Sequence, residues 1–442
     1  MRSGSLRGVA AAVVTLLAAA LLAGAAAPAG AAPLARPQPR HGSPGSPSTS
    51  TNWAGYDATG AVFTSVTATW TQPAVAPSAG RAVYAAFWVG LDGDTSPSVE
   101  QIGTEGFSQG GTVSYDAWYE MYPKAPITIG LAVRPGDSLT GTVTTTGSGS
   151  FTLSLVNHTT GRSFTTQQTL VGAQLASAEV IAEAPSRGGG VLPLATFGIV
   201  DFSACAFNAE PISLFAWQNI TLVSGGSTPL AVTSALSAAG TGFFATDDFT
   251  APMTTVHGAT QAWHDDPVAL TFTATDGAHG SGVATTEYSL DGGVSWSTAG
   301  AVTTAAPADH SNDGLHTVLY RSVDVAGNVE QTRSVAVGID TRRPTPLATK
   351  AARVRRGHTA TLLFSVRDPR PGAPTAAVTI RVRTSSGRLV KKAVLNARPV
   401  NTALRYSFVC RLPAGTYRFS VYATDAAGNP QTGATSNRLI VL

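Results

Sequence analysis

Between Thr51 and Phe249 the chain is written in short runs that alternate apolar and polar residues, and a helix's period is scarce. The runs AVYAAFWVGL, TVSYDAWYEMY, SFTLSLVN, AEVIAEA, ATFGIVDF and ISLFAWQNITLV are rich in Val, Thr, Phe and Tyr, and Gly, Pro and Ser separate them. A period of two sends successive side chains to opposite faces of a strand. Each run therefore has one face to bury and one to expose. A stretch of this length predicts one all-β domain, a two-sheet antiparallel sandwich.

What precedes the sandwich has another character. Arg2 and Arg7 lead into an apolar run from Val9 to Ala27, and Ala29-Gly30-Ala31 offers a small-x-small cleavage site. Residues 1–31 are expected to be a secretory signal peptide, and the chain a secreted, extracellular one. No later segment is apolar enough to span a membrane as a helix. Residues 32–50 are rich in Pro, Ser and Gly and read as a flexible linker or a short pro-segment. Only Cys205 and Cys410 are available for a disulfide. Cys410 alternates with Tyr406 and Phe408 as a core position would, so two buried thiols are favoured over a bridge.

Charge divides the rest. Residues 51–250 hold five basic and fourteen acidic side chains; residues 251–442 hold twenty basic and twelve acidic ones. The text also changes after Phe249, and two units follow, residues 251–344 and 345–442. They share a near-repeat, YRSVDVAGNVEQ at 320–331 and VYATDAAGNPQ at 421–431, each a strand running into an Asp-x-Ala-Gly-Asn turn. The first also has a hairpin around Asp291-Gly292-Gly293. These units resemble bacterial immunoglobulin-like modules. Their positive charge would suit cell-surface or other anionic polymers; the plainer use is a spacer with an exposed basic face.

Several chemistries drop out of the acidic domain. Its single histidine, His158, sits in the polar turn VNHTTG, with no cysteine near it in sequence, so a Ser-His-Asp triad or a Cys-His pair is not expected. H-E-x-x-H and C-x-x-C spacings are absent, as are a phosphate-binding loop and Asp-Thr/Ser-Gly settings for a paired-aspartate site. No metal, cofactor or nucleic acid is expected, and the chain is expected to act as a monomer. Carboxylate and amide chemistry remains.

Four runs carry that chemistry on one face. In AFWVGLDGD the face is Trp88, Gly90, Asp92 and Asp94; in SVEQIGTEG it is Gln101, Gly103 and Glu105. In SYDAWYEMYP it is Asp116, Trp118, Glu120 and Tyr122, and in SAEVIAEAP it is Glu179, Ile181 and Glu183. The opposite faces are largely apolar. If the four runs share a sheet, they make an acidic, aromatic surface able to grip an extended polymer; a strand with a merely decorated solvent face is the plainer reading of any one of them.

The motifs STNWAGY around Trp53, WVGLDGD at 88–94, EQIGTEG at 100–106, SYDAWYEMYP at 114–123, SAEVIAEAP at 177–185 and FGIVDFSA at 197–204 resemble, in order, those of the glutamic peptidases, or eqolisins. The resemblance implies a sandwich of two curved sheets, like that of a legume lectin, and an acid endopeptidase insensitive to pepstatin. It assigns Gln101 and Glu179 as the catalytic pair. It places Trp53, Trp88, Asp92, Asp116, Trp118, Glu120 and Tyr122 in the substrate cleft, with Glu105 and Glu183 beside the pair as neighbours that tune Glu179. Trp53 and Trp88 remain open to a simple core role. Val180, Ile102 and Glu105 depart from the residues the family commonly has there, without touching the pair. The partners implied are protein or peptide substrates. The competing reading is a lectin-like sandwich that binds or hydrolyses glycans, but a pair of carboxylates in a compact E-x-D-x-E strand motif is not found.

A domain this poor in bases accumulates little positive charge when its carboxylates are protonated, and that repulsion is what drives acid unfolding. The sandwich is expected to keep its circular dichroism spectrum at about pH 4; unfolding there would contradict this.

Overall fold

The computed structural model describes residues 45–225, 227–258 and 262–442. The expected signal peptide, and residues 32–44 of the expected linker, lie outside the described residues. The protein is all-β: a two-sheet sandwich followed by two smaller immunoglobulin-like sandwiches.

The first sandwich uses β1 (Ser46–Ser50), β2 (Trp53–Thr59), β3 (Ser65–Thr71), β4 (Val83–Leu91), β5 (Val99–Gln109), β6 (Thr112–Tyr122), β7 (Ile127–Ile129), β8 (Ser138–Thr145) and β9 (Ser150–Asn157). It continues with β10 (Arg162–Thr169), β11 (Ser177–Glu183), β12 (Ser186–Arg187), β13 (Gly190–Val191), β14 (Ile199–Phe207), β15 (Glu210–Pro211), β16 (Ala216–Val223), β17 (Pro229–Thr233) and β18 (Phe243–Thr246). One layer runs β10-β9-β8-β3-β14-β18 and the other β16-β2-β11-β4-β5-β6-β7. β17 belongs to both, since Ala231 pairs with Leu222 of β16 and Val232 with Thr246 of β18.

The faces follow the alternation. Tyr56 and Ala58 of β2, Phe87, Val89 and Leu91 of β4, Ile102 of β5, Ala117, Tyr119 and Met121 of β6 and Val180 of β11 all point between the layers. There they meet Trp70, Leu139, Leu153, Phe202 and Phe243 from the other sheet. The Tyr56 and Phe243 rings, from opposite layers, have centroids 4.7 Å apart. The Trp70 indole N–H donates across the core to Thr104 Oγ1 at 3.1 Å, which satisfies the one polar atom that a buried tryptophan brings with it.

The expected linker reaches too far. Its last five residues are β1, which lies parallel to β16 from Ser46↔Gln218 to Ser50↔Leu222. Backbone pairing needs no apolar side chain, so a Ser/Thr/Pro stretch can supply a strand while its composition reads as linker. Cys205 and Cys410 are both buried free thiols.

Each C-terminal unit packs a three-stranded sheet on a five-stranded one. The first sets Met253–His257, Val268–Thr275 and Ala301–Thr304 against a sheet whose longest strand is Gly314–Asp324. The second sets Thr345–Lys350, Thr359–Arg367 and Ala403–Val409 against one that contains Gly415–Asp425. The shared Asp-x-Ala-Gly-Asn turn closes on its own aspartate. Asp324 Oδ1 accepts from the Asn328 N–H, and Asp425 Oδ1 from the N–H groups of Ala427, Gly428 and Asn429.

Close approach inside the functional layer dictates one glycine. A Cβ at Gly103 would lie 2.3 Å from the Phe87 carbonyl oxygen and 2.5 Å from Trp88 Cβ, so backbone would have to move. Gly103→Ala is expected to destabilise the sandwich by roughly 1–3 kcal/mol, as overpacking does. Urea unfolding monitored by tryptophan fluorescence measures it, and an unchanged midpoint would sink the argument.

Candidate active site

In a sheet, residues directly opposite one another on neighbouring strands stand side by side on one face. The registers of β2, β11, β4, β5 and β6 therefore define rungs. One rung reads Asp57–Glu179–Gly90–Gln101–Glu120. The next on the same face reads Gly55–Ile181–Trp88–Gly103–Trp118, and the third Trp53–Glu183–Ala86–Glu105–Asp116. All three face away from the core between the layers. The four runs singled out by their alternation thus do lie in one sheet, with their polar faces together.

Gly90 stands in the middle of the first rung and has no side chain. Glu179 and Gln101 flank it, two strands apart, or roughly 10 Å between Cα atoms. The space above Gly90 is closed by neighbours, since a Cβ there would lie 2.8 Å from Trp88 Cζ3 and 3.2 Å from Val99 Cγ1. Glu179 is fully buried, and its Oε1 accepts from Ser177 Oγ at 2.5 Å and from the Asp94 N–H at 3.0 Å. Two donors on one oxygen favour the charged form of a carboxylate. Gln101 is held from the other side, its Nε2 donating to Glu120 Oε2 at 2.5 Å.

The segment after β4 completes the wall. The expected alternation stops at Leu91 because Asp92 adopts φ 63°, which turns the chain. Asp92 does not line a cleft. It is fully buried, and its two carboxylate oxygens accept from the Leu175 and Ala176 N–H groups at 2.7 Å each, fastening the entry to β11. The turn folds residues 93 and 94 back over Glu179. A Cβ on Gly93 would lie 2.4 Å from Glu179 Cδ, so only glycine leaves room for that carboxyl group.

The sequence reading gave no site role to the acids that stand closest to Glu179, although it set Asp94 on the polar face of its run. Asp57 is its neighbour in the rung, and Asp94 covers it. Burial, then the charges of Asp94 and Glu179 and a hydrogen bond with Asp94, hold the Asp57 carboxyl well above its ordinary value. Asp57 thus stays neutral well beyond ordinary acid pH and spares the site a further negative charge. The signal was present: Trp53, Gly55 and Asp57 alternate in WAGYDA just as the residues of the other runs do.

Several residues expected in a cleft are buried instead. Trp53 and Trp88 are 2 % and 0 % exposed and pack edge to face at 5.2 Å, in an apolar cluster with Val99, Trp118, Ile181 and Ile220. The core role left open for the two tryptophans describes their packing. Glu120 is buried against Gln101. Glu183 is buried too, accepting from Trp88 Nε1 at 2.7 Å and from Asn52 Nδ2 at 2.9 Å. Glu105 and Glu183 also do not touch Glu179. They lie two rungs away, since four residues of strand span roughly 13 Å. Only Glu105, Asp116 and Tyr122 of the expected set are partly open to solvent. Among the described residues, acidic side chains that converge closely enough to hold a metal occur only from Asp248 onwards, at and beyond the end of the sandwich.

Glu105 and Asp116 face each other across β5 and β6. Burial and the Asp116 charge, only partly countered by Arg187, push Glu105 from an ordinary 4.5 up to about 8. The folded chain therefore keeps a proton that the unfolded chain releases. That contribution to stability is complete below about pH 4.5 and is lost as pH rises towards 8. Glu105→Gln cannot titrate, so its melting temperature is expected to fall less than the wild type's between about pH 5 and pH 8. Equal falls in calorimetry would refute this.

Residues 51–240 match the Peptidase A4 family. The chain is 35% identical over 187 residues to aspergillopepsin-2 of Aspergillus niger, covering 37% of this chain and 65% of that protein. It is 38% identical over 112 residues to scytalidopepsin B of Scytalidium lignicola, covering 25% of this chain and 42% of that protein. The chain thus spans less than two thirds of the length of either relative. A solved structure of scytalido-glutamic peptidase with a transition state analog inhibitor is 27% identical, with a TM-score of 0.39, over 45% of this chain and 98% of that one.

Proposed function

We propose that residues 51–240, which match the Peptidase A4 family, form a secreted, pepstatin-insensitive acid endopeptidase in which Glu179 and Gln101 act on one water molecule and one peptide carbonyl. The observation that carries this reading is the shared rung, in which a carboxylate and an amide flank a side-chain-free Gly90 on one face.

In the proposed reaction Glu179, ionised, takes a proton from a water lying between it and Gln101. The water oxygen attacks the carbonyl carbon of the scissile bond, and the carbonyl oxygen becomes an oxyanion. Gln101 Nε2 donates to that oxyanion. One preorganised donor of this kind is worth roughly 3–4 kcal/mol in the transition state. The C–N bond then breaks, and the protonated Glu179 returns its proton to the leaving amine. The ordinary pKa of a glutamate, ~4.3, lets it serve as base and then as acid at low pH, where a histidine base would already be protonated.

The neighbours support these roles. Ser177 Oγ and the Asp94 N–H stabilise the Glu179 carboxylate, and Glu120 fixes which way the Gln101 amide points. Glu105, Asp116 and Tyr122 are the side chains of the expected set placed to meet the flanking parts of a peptide, with Trp118 beneath them. Glycan hydrolysis needs a second carboxylate across the scissile bond, and the position across Gly90 from Glu179 is an amide. Residues 251–442, with their excess of bases, act in this proposal as a spacer able to hold the peptidase near anionic polymers.

The test is cleavage of acid-denatured albumin by the full chain from about pH 2 to pH 8, with pepstatin present. Wild type is expected to be active at acid pH, Glu179→Gln to fall to background, and Gln101→Ala to lose at least ~10²-fold in kcat. Wild type that is folded yet inactive, or variants as active as wild type, would overturn the proposal.

A further inference from the structure

Two groups of three aspartates, Asp248/Asp276/Asp324 and Asp340/Asp368/Asp425, each bring one carboxylate oxygen per residue within 4.8 Å of the others. They occupy corresponding places in the duplicated units. Asp248 and Asp340 each follow the strand that ends the preceding unit, Phe243–Thr246 and Arg333–Ile339. Asp276 and Asp368 each follow a strand that pairs in the three-stranded sheet, Val268–Thr275 and Thr359–Arg367. Asp324 and Asp425 each begin the Asp-x-Ala-Gly-Asn turn. The turn's asparagine reaches back to the first member of its group, Asn328 Nδ2 donating to the Asp248 carbonyl at 3.1 Å and Asn429 Nδ2 to the Asp340 carbonyl at 2.7 Å.

The second group has a feature that hydrogen bonding leaves unexplained. Asp368 is 4 % exposed, and neither of its carboxylate oxygens has a hydrogen-bond partner. Asp425 is 5 % exposed. Its Oδ1 is occupied by three backbone N–H groups, while Oδ2 has no partner. Asp340 is fixed by the N–H groups of Arg342 and Ala373. The guanidinium beside the group does not fill it, because Arg342 Nε pairs with Asp313 Oδ2 at 3.4 Å. A buried carboxylate with both oxygens bare is costly unless a proton or a cation compensates it.

We propose that Asp340, Asp368 and Asp425 bind a calcium ion, and that Asp248, Asp276 and Asp324 bind a second in the same way. Three hard, anionic oxygens within 4.8 Å suit Ca–O distances of about 2.3–2.6 Å, with backbone carbonyls or water completing the 6–8 ligands such an ion takes. Mg²⁺ demands tighter, octahedral geometry and keeps its waters. One ligand of each group comes from a junction between units and two from the unit that follows it. Bound calcium therefore ties each unit to the segment that leads into it.

The test is equilibrium dialysis of the full chain, stripped with a chelator, against about 1 mM Ca²⁺, the weak end of the range for extracellular modules. Wild type is expected to bind two ions, Asp368→Asn one, Asp276→Asn one and the double variant none, each with an unchanged far-ultraviolet circular dichroism spectrum. Chelation is expected to lower the melting temperature of wild type and to leave the double variant unmoved. Loss of one ion in Asp368→Asn alone would uphold the second site and overturn the first. If Asp368→Asn fails to fold, Asp425→Asn replaces it and the chelator experiment on wild type still decides. Wild type that binds no calcium, or variants that bind as many ions as wild type, would overturn the proposal.

Discussion

Strand register is the constraint on which the candidate site depends. Asp57, Glu179, Gln101 and Glu120 come from four different strands and meet only because β2, β11, β4, β5 and β6 pair at the observed offset. A slip of one residue on any strand would turn its site residue into the core. The apolar faces prevent it, since Val89, Ile102, Tyr119 and Val180 would have to leave the space between the layers. Site geometry and core packing are thus fixed by the same pairing, although they occupy opposite faces.

Much of this was legible because a period of two is unambiguous when the two faces differ. Phe87, Val89 and Leu91 announced one face of β4, and Trp88 and Gly90 the other. The pattern also implied that the four decorated runs could share a sheet, although it did not order them. What it could not show was where a strand stops. Asp92 continues the alternation on paper, but a positive φ ends it in space and sends the carboxyl group to the backbone of β11's entry. Nor does alternation report depth. Trp53 and Trp88 lie on the functional face, yet they are covered by each other and by their apolar neighbours. The three aspartates of each C-terminal group were invisible for a different reason: their convergence comes from the fold of a whole unit, not from any spacing.

The acid residues of the sandwich divide into two kinds. Glu179, Glu183 and Asp92 receive hydrogen bonds from N–H or O–H groups. Asp57 and Glu105 are held among other carboxyl groups and are suited to being neutral.

Strand β1 ties the amino-terminal edge of the sandwich to the candidate site. Ser50, at its end, donates to Asn52 Oδ1 and accepts from the Trp53 N–H, and Asn52 in turn donates to Glu183, which holds the Trp88 indole. A processing cut on the amino side of Gly45 leaves this chain of contacts whole. A cut a few residues later would strip an edge from β16 and loosen the floor beneath the site. The first strand of the sandwich is thus an anchor for the buried tryptophan cluster, although its composition is that of a linker.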